Sequence, residues 1–415
     1  MSQPTLNIVI AGGSLGGLIF GIGLQAAGNI VTIFERRPNS AMLGLGAGLS
    51  CAPEMQEFMA KYDLTKEPYS LDTNEYQFIN SKDEMIRHAN MEQRSTTWDV
   101  LYYRLRANFD GLRVGYCSVP DFSGRRKGVY RDGCTVTGVK EIGEGVRVEY
   151  RDENGSEKSM DVDLLIAADG PSSRIRDIFL PEMERRFIHI AWRGTVPLKD
   201  ISAESQAKQR NIPTLCLIEN SATILYPIPG ANGSLDPKDQ LYNWVWYRVI
   251  SQDSPEYKEI MTDKDGKLHR VSVPLGKMQP LVVLKQKTLA GQLLSPSSAE
   301  IVQKTKDPYI QAITDCISPK TLFLDGKVLL AGDAVASLRP MAGLGVNSAA
   351  RSAMMLLDAL EGRMTLAEWE KDILAYARDA RAMGITREST WKMKKASDVK
   401  EEGPPAGFRT KVNKI

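Results

Sequence analysis

The chain has 415 residues, 42% of them apolar and 25% charged, with a net charge of +2. That is the composition of a folded globular protein with room for two domains or one interleaved one, and so small a charge gives no reason to expect nucleic acid or a membrane as partner. Five cysteines without a CxxC pair and three histidines without metal-ligand spacing argue against a dithiol redox centre and a metal site, and fit reduced thiols in a cytoplasmic protein.

No apolar run reaches membrane-spanning length, and Leu6–Ala11 enters glycines directly, without the basic leader of a signal peptide. Leu6–Ala11 reads as a buried strand, Leu18–Ala27 as a helix stopped by Gly28, and Ile30–Glu35 as a second strand. Together they make one βαβ unit. Between strand and helix lies Gly12-Gly-Ser-Leu-Gly-Gly17, a dinucleotide fingerprint with Ser14 at its middle position. Small residues there let backbone approach a pyrophosphate, so Gly12, Ser14, Leu15 and Gly17 are candidate cofactor residues. Glu35, 18 residues past Gly17, stands where a carboxylate meets an adenosine ribose, with Arg36 beside it. The other reading is a tight strand–helix turn with no ligand.

Trp98–Asp110 has helical spacing, with Arg104 and Arg106 either reaching cofactor phosphates or covering a solvated face. Gly145–Tyr150 is a strand, Asp152–Gly155 a hairpin turn, and Val162–Ala168 a strand ending in Asp169-Gly170, after which Pro171–Arg174 begins a helix. Asp169 is either near the cofactor phosphates and nicotinamide or part of a plain turn.

From about residue 187 to 290 strands take over: Phe187–Val196, Thr214–Ile228 and Leu241–Ile250. Alternation puts Trp244 and Trp246 on one face and Val245 and Tyr247 on the other. This predicts an antiparallel sheet inserted between nucleotide-domain segments. Trp192, Arg193, Tyr226, Trp244, Trp246 and Tyr247 either line a substrate pocket or fill the sheet core. His269 is a candidate base or a structural histidine. Residues 296–315 look helical, as do Met364–Met383, and 391–415 read as a tail.

The stretch from Val328 to Asn347 is the most informative. It is an apolar strand, a Gly332-Asp333 turn, and a loop with Pro340, Gly343 and Gly345 that opens a small-residue helix. A strand that delivers one carboxylate to a glycine-rich helix start suits a ribityl phosphate, with bare N–H groups of Gly343, Leu344, Gly345, Val346 and Asn347 facing a phosphate and a ring carbonyl. Lying more than 300 residues after the glycine loop, it points to FAD rather than a free nicotinamide cofactor.

The glycine loop with Glu35, Asp169-Gly170 and Gly332-Asp333 follow the order and approximate spacing of the single-component, class A FAD-dependent aromatic hydroxylases of the para-hydroxybenzoate hydroxylase type, which this chain resembles over nearly its whole length. Within them it is most similar to the 2,6-dihydroxypyridine 3-hydroxylase group, through Thr97–Leu101, Ala191-Trp-Arg-Gly194, Tyr226–Gly230 with Asn243–Tyr247, Ser272-Val-Pro274 with Gly276, and Ala331–Ala334 with Arg339-Pro340. It departs from many relatives in three places. Trp98 stands where an arginine precedes the helix's Asp-Leu pair, Ala336 replaces a histidine, and Ser14 replaces a glycine.

The resemblance implies an α/β architecture: a Rossmann-like (GR2) FAD-binding domain from 1–75, 96–180 and 291–360, an inserted antiparallel β-sheet substrate domain from 76–95 and 181–290, a C-terminal helix at 361–390 and a tail at 391–415. It implies that NADH or NADPH reduces FAD, that O2 forms a flavin C4a-hydroperoxide, and that oxygen passes to a small phenolic or hydroxypyridine-type ring. Pro340 would pack beside the isoalloxazine; Pro340, His269 and Tyr226 are the candidate catalytic residues. Homodimers are common in this family. Two other enzyme readings stay open, a decarboxylating hydroxylase and a flavin oxidoreductase without oxygen insertion. So does a third, a flavin-binding scaffold without turnover.

Overall fold

The computed structural model describes residues 4–38, 47–90, 93–218 and 221–389. The predicted tail at 391–415 lies outside them. The first layer is a six-stranded sheet in the order Leu322–Phe323, Val328–Leu330, Leu164–Ala167, Asn7–Ala11, Ile30–Glu35, Val129–Asp132. All its pairs are parallel except the first. Its central strands are continuous runs of Ile, Val, Leu and Ala, as a sheet covered on both faces requires. Helices Leu15–Ala26, Trp98–Asp110 and Gly345–Leu360 share one apolar core with it, in which Ile10, Leu18, Leu101, Leu165 and Leu356 are fully buried.

The second layer is a nine-stranded sheet. Its main path runs Ser272–Val273, Tyr309–Ile317, Arg186–Pro197, Leu241–Arg248, Ser221–Ile228, Thr214–Ile218, Glu75–Ile79, Met85–Asn90, and Ala336–Ser337 pairs with Tyr309–Ile317. It is antiparallel except where Thr214–Ile218 runs parallel to Glu75–Ile79. Its outer face carries Trp192, Trp244 and Trp246 against helices Pro255–Met261, Pro280–Leu293 and Pro296–Lys304. Its inner face carries Ala191, Val245, Tyr247 and Ile313. One strand of this sheet, Ala336–Ser337, belongs to the Val328–Asn347 stretch, so that stretch leaves the first sheet and crosses to the second.

The expectation of a helix over 296–315 is corrected. Only Pro296–Lys304 is helical; Tyr309–Ile317 is a strand buried between two partners, so this part of 291–360 belongs to the second sheet. Pro308 ends the helical option, and Tyr309-Ile-Gln-Ala-Ile-Thr alternates with the pleat. The C-terminal helix runs Leu366–Ser389, beyond the periodic segment read from sequence. No described helix is long and apolar enough to cross a membrane.

The approach of the first helix to the first strand is set by glycine. A Cβ on Gly17 would lie 1.9 Å from the Gly12 carbonyl oxygen, whereas one on Gly16 would meet nothing within 4 Å. Gly17→Ala should therefore lose about 1–3 kcal/mol of apoprotein stability in denaturant unfolding, while Gly16→Ala should be neutral or gain up to about 1 kcal/mol from helix propensity. Equal curves for the two variants would refute this packing.

Candidate functional site

The parallel strands all end at one edge, above a cavity of about 450 Å³. Gly12, Ser14, Leu15, Glu35, Arg36, Asp169, Gly332, Asp333, Gly345 and Val346 line it. Gly12 has a φ of +103°, and a Cβ there would sit 2.3 Å from the Ala168 carbonyl oxygen, so neighbouring strand ends touch only through glycine. Ser14 caps the first helix by backbone geometry alone, and its side chain makes no cap hydrogen bond. Buried Glu35 holds the loop: Oε2 accepts from Gly13 N at 2.8 Å and Oε1 from Arg37 N at 2.9 Å. Gly17 does not line the cavity and serves helix–strand packing.

Asp169 lies at the cavity wall. Its Oδ2 accepts from Arg174 N at 2.8 Å, and its Oδ1 is buried without a partner. Burial raises its carboxyl above the ordinary range against several hydrogen bonds that lower it. Asp333 follows Gly332, whose φ is +57°. Its carboxyl is open to the cavity space and has no hydrogen-bond partner among the described residues, yet protein mass encloses the cavity and pushes the group up to about 6. Asn347 is buried and lines neither cavity. Its Oδ1 accepts from Ala52 N at 2.8 Å and its Nδ2 donates to Gly343 O at 2.8 Å, so it fixes the loop ahead of the helix.

A second cavity, about 270 Å³, opens on the inner face of the nine-stranded sheet. Arg193, Tyr226 and Tyr247 line it from the sheet, and Pro340, Gly343 and Leu344 from the crossing loop. Asp333, Gly345 and Val346 line both cavities, which therefore meet at that point.

Several sequence expectations part from this geometry. Arg104 does not reach the cavity: its Nε and Nη2 donate to Asp63 Oδ2 at 2.8 and 2.7 Å, and both side chains are buried. Arg106 pairs with Asp110 at 2.8 Å and stacks 3.5 Å over the Tyr130 ring. Among the described residues it meets the glycine loop through Tyr130, whose hydroxyl donates to Gly13 O at 3.0 Å. Each arginine was drawn to the carboxylate its own helix and neighbours supplied. His269 lines neither cavity; its Nε2 lies 2.7 Å from Asp263, whose carboxyl that hydrogen bond holds below the usual range. Trp192, Trp244 and Trp246 sit on the outer face, where Trp244 Nε1 donates to Thr305 Oγ1 and Trp246 Nε1 to Ser221 Oγ, both at 2.7 Å. The pleat that turns Arg193 and Tyr247 inward turns the tryptophans out.

Sequence reasoning missed Tyr76, Tyr130, Tyr309 and Arg387. Tyr309 bonds Arg193, and its signal was the alternation read as helix. Arg387 reaches the second cavity from the C-terminal helix and donates to Met341 O at 2.8 Å; nothing in its local sequence announces this.

A glycine-walled channel, an orphaned carboxyl midway and a loop of bare N–H groups fit FAD, adenosine end in the first cavity. Comparisons agree. A family model described as FAD binding domain matches residues 317–387, and one described as FAD binding domain-like matches 188–315. The 2,6-dihydroxypyridine 3-monooxygenase of Paenarthrobacter nicotinovorans is 24% identical over 375 residues, covering 89% of this chain and 87% of its own. The solved 2,6-dihydroxypyridine-3-hydroxylase from Arthrobacter nicotinovorans superposes with a TM-score of 0.82 at 22% identity, covering 97% of this chain and 96% of its own. A salicylate hydroxylase–substrate complex gives 0.66 at 18% identity, covering 94% and 90%. The chain thus carries FAD-binding sequence and shares its fold with these solved hydroxylases.

The Arg104–Asp63 pair separates a structural arginine from a cofactor ligand. Arg104→Met leaves Asp63 buried without its counter-charge and should cost about 3–5 kcal/mol in urea unfolding. FAD affinity of the folded fraction should stay within about twofold; a tenfold loss there would return Arg104 to the cofactor site.

Proposed function

We propose that this enzyme uses NADH or NADPH and O2 to hydroxylate a small phenolic or hydroxypyridine-type ring held in the second cavity. One observation carries the reading: the two cavities meet at Asp333, Gly345 and Val346. A long cofactor seated in the first therefore presents its far end to the second.

Gly12, Ser14 and Leu15 would take the pyrophosphate, with Gly17 keeping the helix close enough to aim its N–H groups there. Glu35 and Arg36 would border the adenosine. Asp169, Gly332 and Asp333 would border the ribityl chain, the Asp333 carboxylate accepting from a hydroxyl. The N–H groups of Leu344, Gly345 and Val346 would face the pyrimidine edge of the ring system, Gly343 N being held by the Pro340 carbonyl at 2.9 Å and Asn347 fixing that loop. Bound FAD supplies electron transfer from the nicotinamide and delivery of oxygen to the ring.

The chain's own residues position and dry the substrate. Pro340 and Leu344 wall the second cavity on the loop side, and the sheet face with Val245, Tyr226 and Tyr247 walls it opposite. Tyr226 has its hydroxyl kept protonated by burial, which raises its ionisation well above the ordinary tyrosine range. It can therefore donate to a ring oxygen and stabilise the electron-rich form that accepts oxygen.

Purified protein should be yellow, or become so with FAD, and should consume NAD(P)H faster when a phenol, hydroxybenzoate or hydroxypyridine is present, with a product heavier by one oxygen. A broad panel without effect on NAD(P)H consumption would reject the substrate class. Asp333→Ala should weaken FAD binding by about tenfold or more in a fluorescence titration, as expected on losing a hydrogen bond to a charged group.

A further inference from the structure

Arg193 stands in the middle of the inner sheet face, paired across the ladder with Val245 on one side and Tyr309 on the other. The groups about its charge are phenolic: Tyr309, Tyr247 and Tyr226. Burial pushes the Tyr226 and Tyr247 hydroxyls up, so they stay neutral and supply no counter-charge. Among the described residues no carboxylate forms an ion pair with Arg193, and its Nε is buried without a partner. Arginines elsewhere are satisfied differently. Arg104 lies on Asp63, Arg339 on Asp315, and Arg176 donates to the carbonyls of Ala334 and Pro171.

A guanidinium with a buried, open donor is costly unless something anionic completes it. The lining of the second cavity also contains Arg185, Arg387 and Arg339, the last already held by Asp315 and Glu388, and its one described carboxylate is Asp333.

Resting on the ring-hydroxylating reading, we propose that Arg193 determines specificity in the second cavity and that the substrate ring enters as an anion, its carboxylate or ring oxyanion lying on the guanidinium. The planar fork of arginine matches a carboxylate with two parallel hydrogen bonds. A neutral ring of the same shape leaves those donors unpaired and is rejected on that account. Tyr226 and Tyr247 border the same spot, so the ring would be fixed by charge at one end and by phenol donors along its side.

The test uses oxidised, FAD-loaded enzyme and reads ligand binding from the flavin absorbance, without reductant or turnover. The probes are 4-hydroxybenzoate, its neutral isostere 4-hydroxybenzamide, and 4-nitrophenol titrated either side of its own ionisation. Wild type should bind the ionised form of at least one pair about tenfold or more tightly than its neutral counterpart. A benzoate preference assigns the carboxylate; a nitrophenolate preference assigns the ring oxyanion. Arg193→Met should abolish the preference without weakening the neutral probes, and Arg193→Lys, which keeps the charge and loses the fork, should restore part of it. Equal binding of charged and neutral forms by wild type, no binding of any ionised probe, or a preference that survives Arg193→Met would each overturn the proposal. Should Arg193→Met fail to hold FAD, the wild-type comparison and Arg193→Lys decide alone. Anion selectivity without ring-dependent NAD(P)H oxidation would count against the activity and leave this site standing.

Discussion

The in-register parallel ladder is the constraint on which the rest depends. Ala11 pairs with Phe34 on one side and Ala167 on the other, and Ala167 pairs with Leu330. Because the strands are parallel and level, the residues that follow them emerge side by side: Gly12, Glu35, Asp169 and Gly332. Residues more than 300 positions apart thereby share one cavity wall. Ligands gather at the carboxyl ends of parallel strands for this reason. A register slip of one residue would exchange side chains between the two covered faces and pull the glycines apart.

The second sheet solves a different problem, giving one face to an apolar core and the other to a cavity. Its outer face buries three tryptophans under helices, each fully enclosed and two with their indole N–H satisfied. Such rings are large apolar contributors that also lock the strand register. The inner face is thereby free to be polar, carrying Arg193 and a set of tyrosines. The stretch from Val328 to Asn347 couples the two sheets, beginning as a strand of one, adding Ala336–Ser337 to the other, and returning as a helix against the first. The loop between, with Pro340 and Gly343, is thus held at both ends.

The nucleotide half of the fold was legible because local signals agree there. Continuous aliphatic runs, glycines at a fixed spacing and an acidic residue at a strand tip each report the same backbone, and Trp98–Asp110 is a helix over the residues its periodicity marks. The face assignment of Trp244, Val245, Trp246 and Tyr247 was legible too, since the pleat has a period of two. Which face held the cavity was not, because an aromatic stripe suits a core and a pocket alike. Arg104 and Arg106 misled because a helix-borne arginine finds whichever carboxylate packs beside it, and Asp63 lies 41 residues away in sequence. Tyr309–Ile317 was obscured by the helix before it. Arg387 carried no local sign at all, since its role arises from where the last helix docks.

That docking has a consequence for how the protein is made. Arg387 donates to the carbonyl of Met341, Glu388 binds Arg339, and Arg381 joins Arg339 on Asp315, all within the final described helix. Chains emerge from the ribosome amino end first, and earlier segments begin to fold while later ones are still being added. The nucleotide edge can be assembled from segments already translated by residue 360, but the clamp on the Pro340 loop waits for the last two turns of helix. The lining of the first cavity is thus complete in sequence before the helix whose last turns brace the wall of the second.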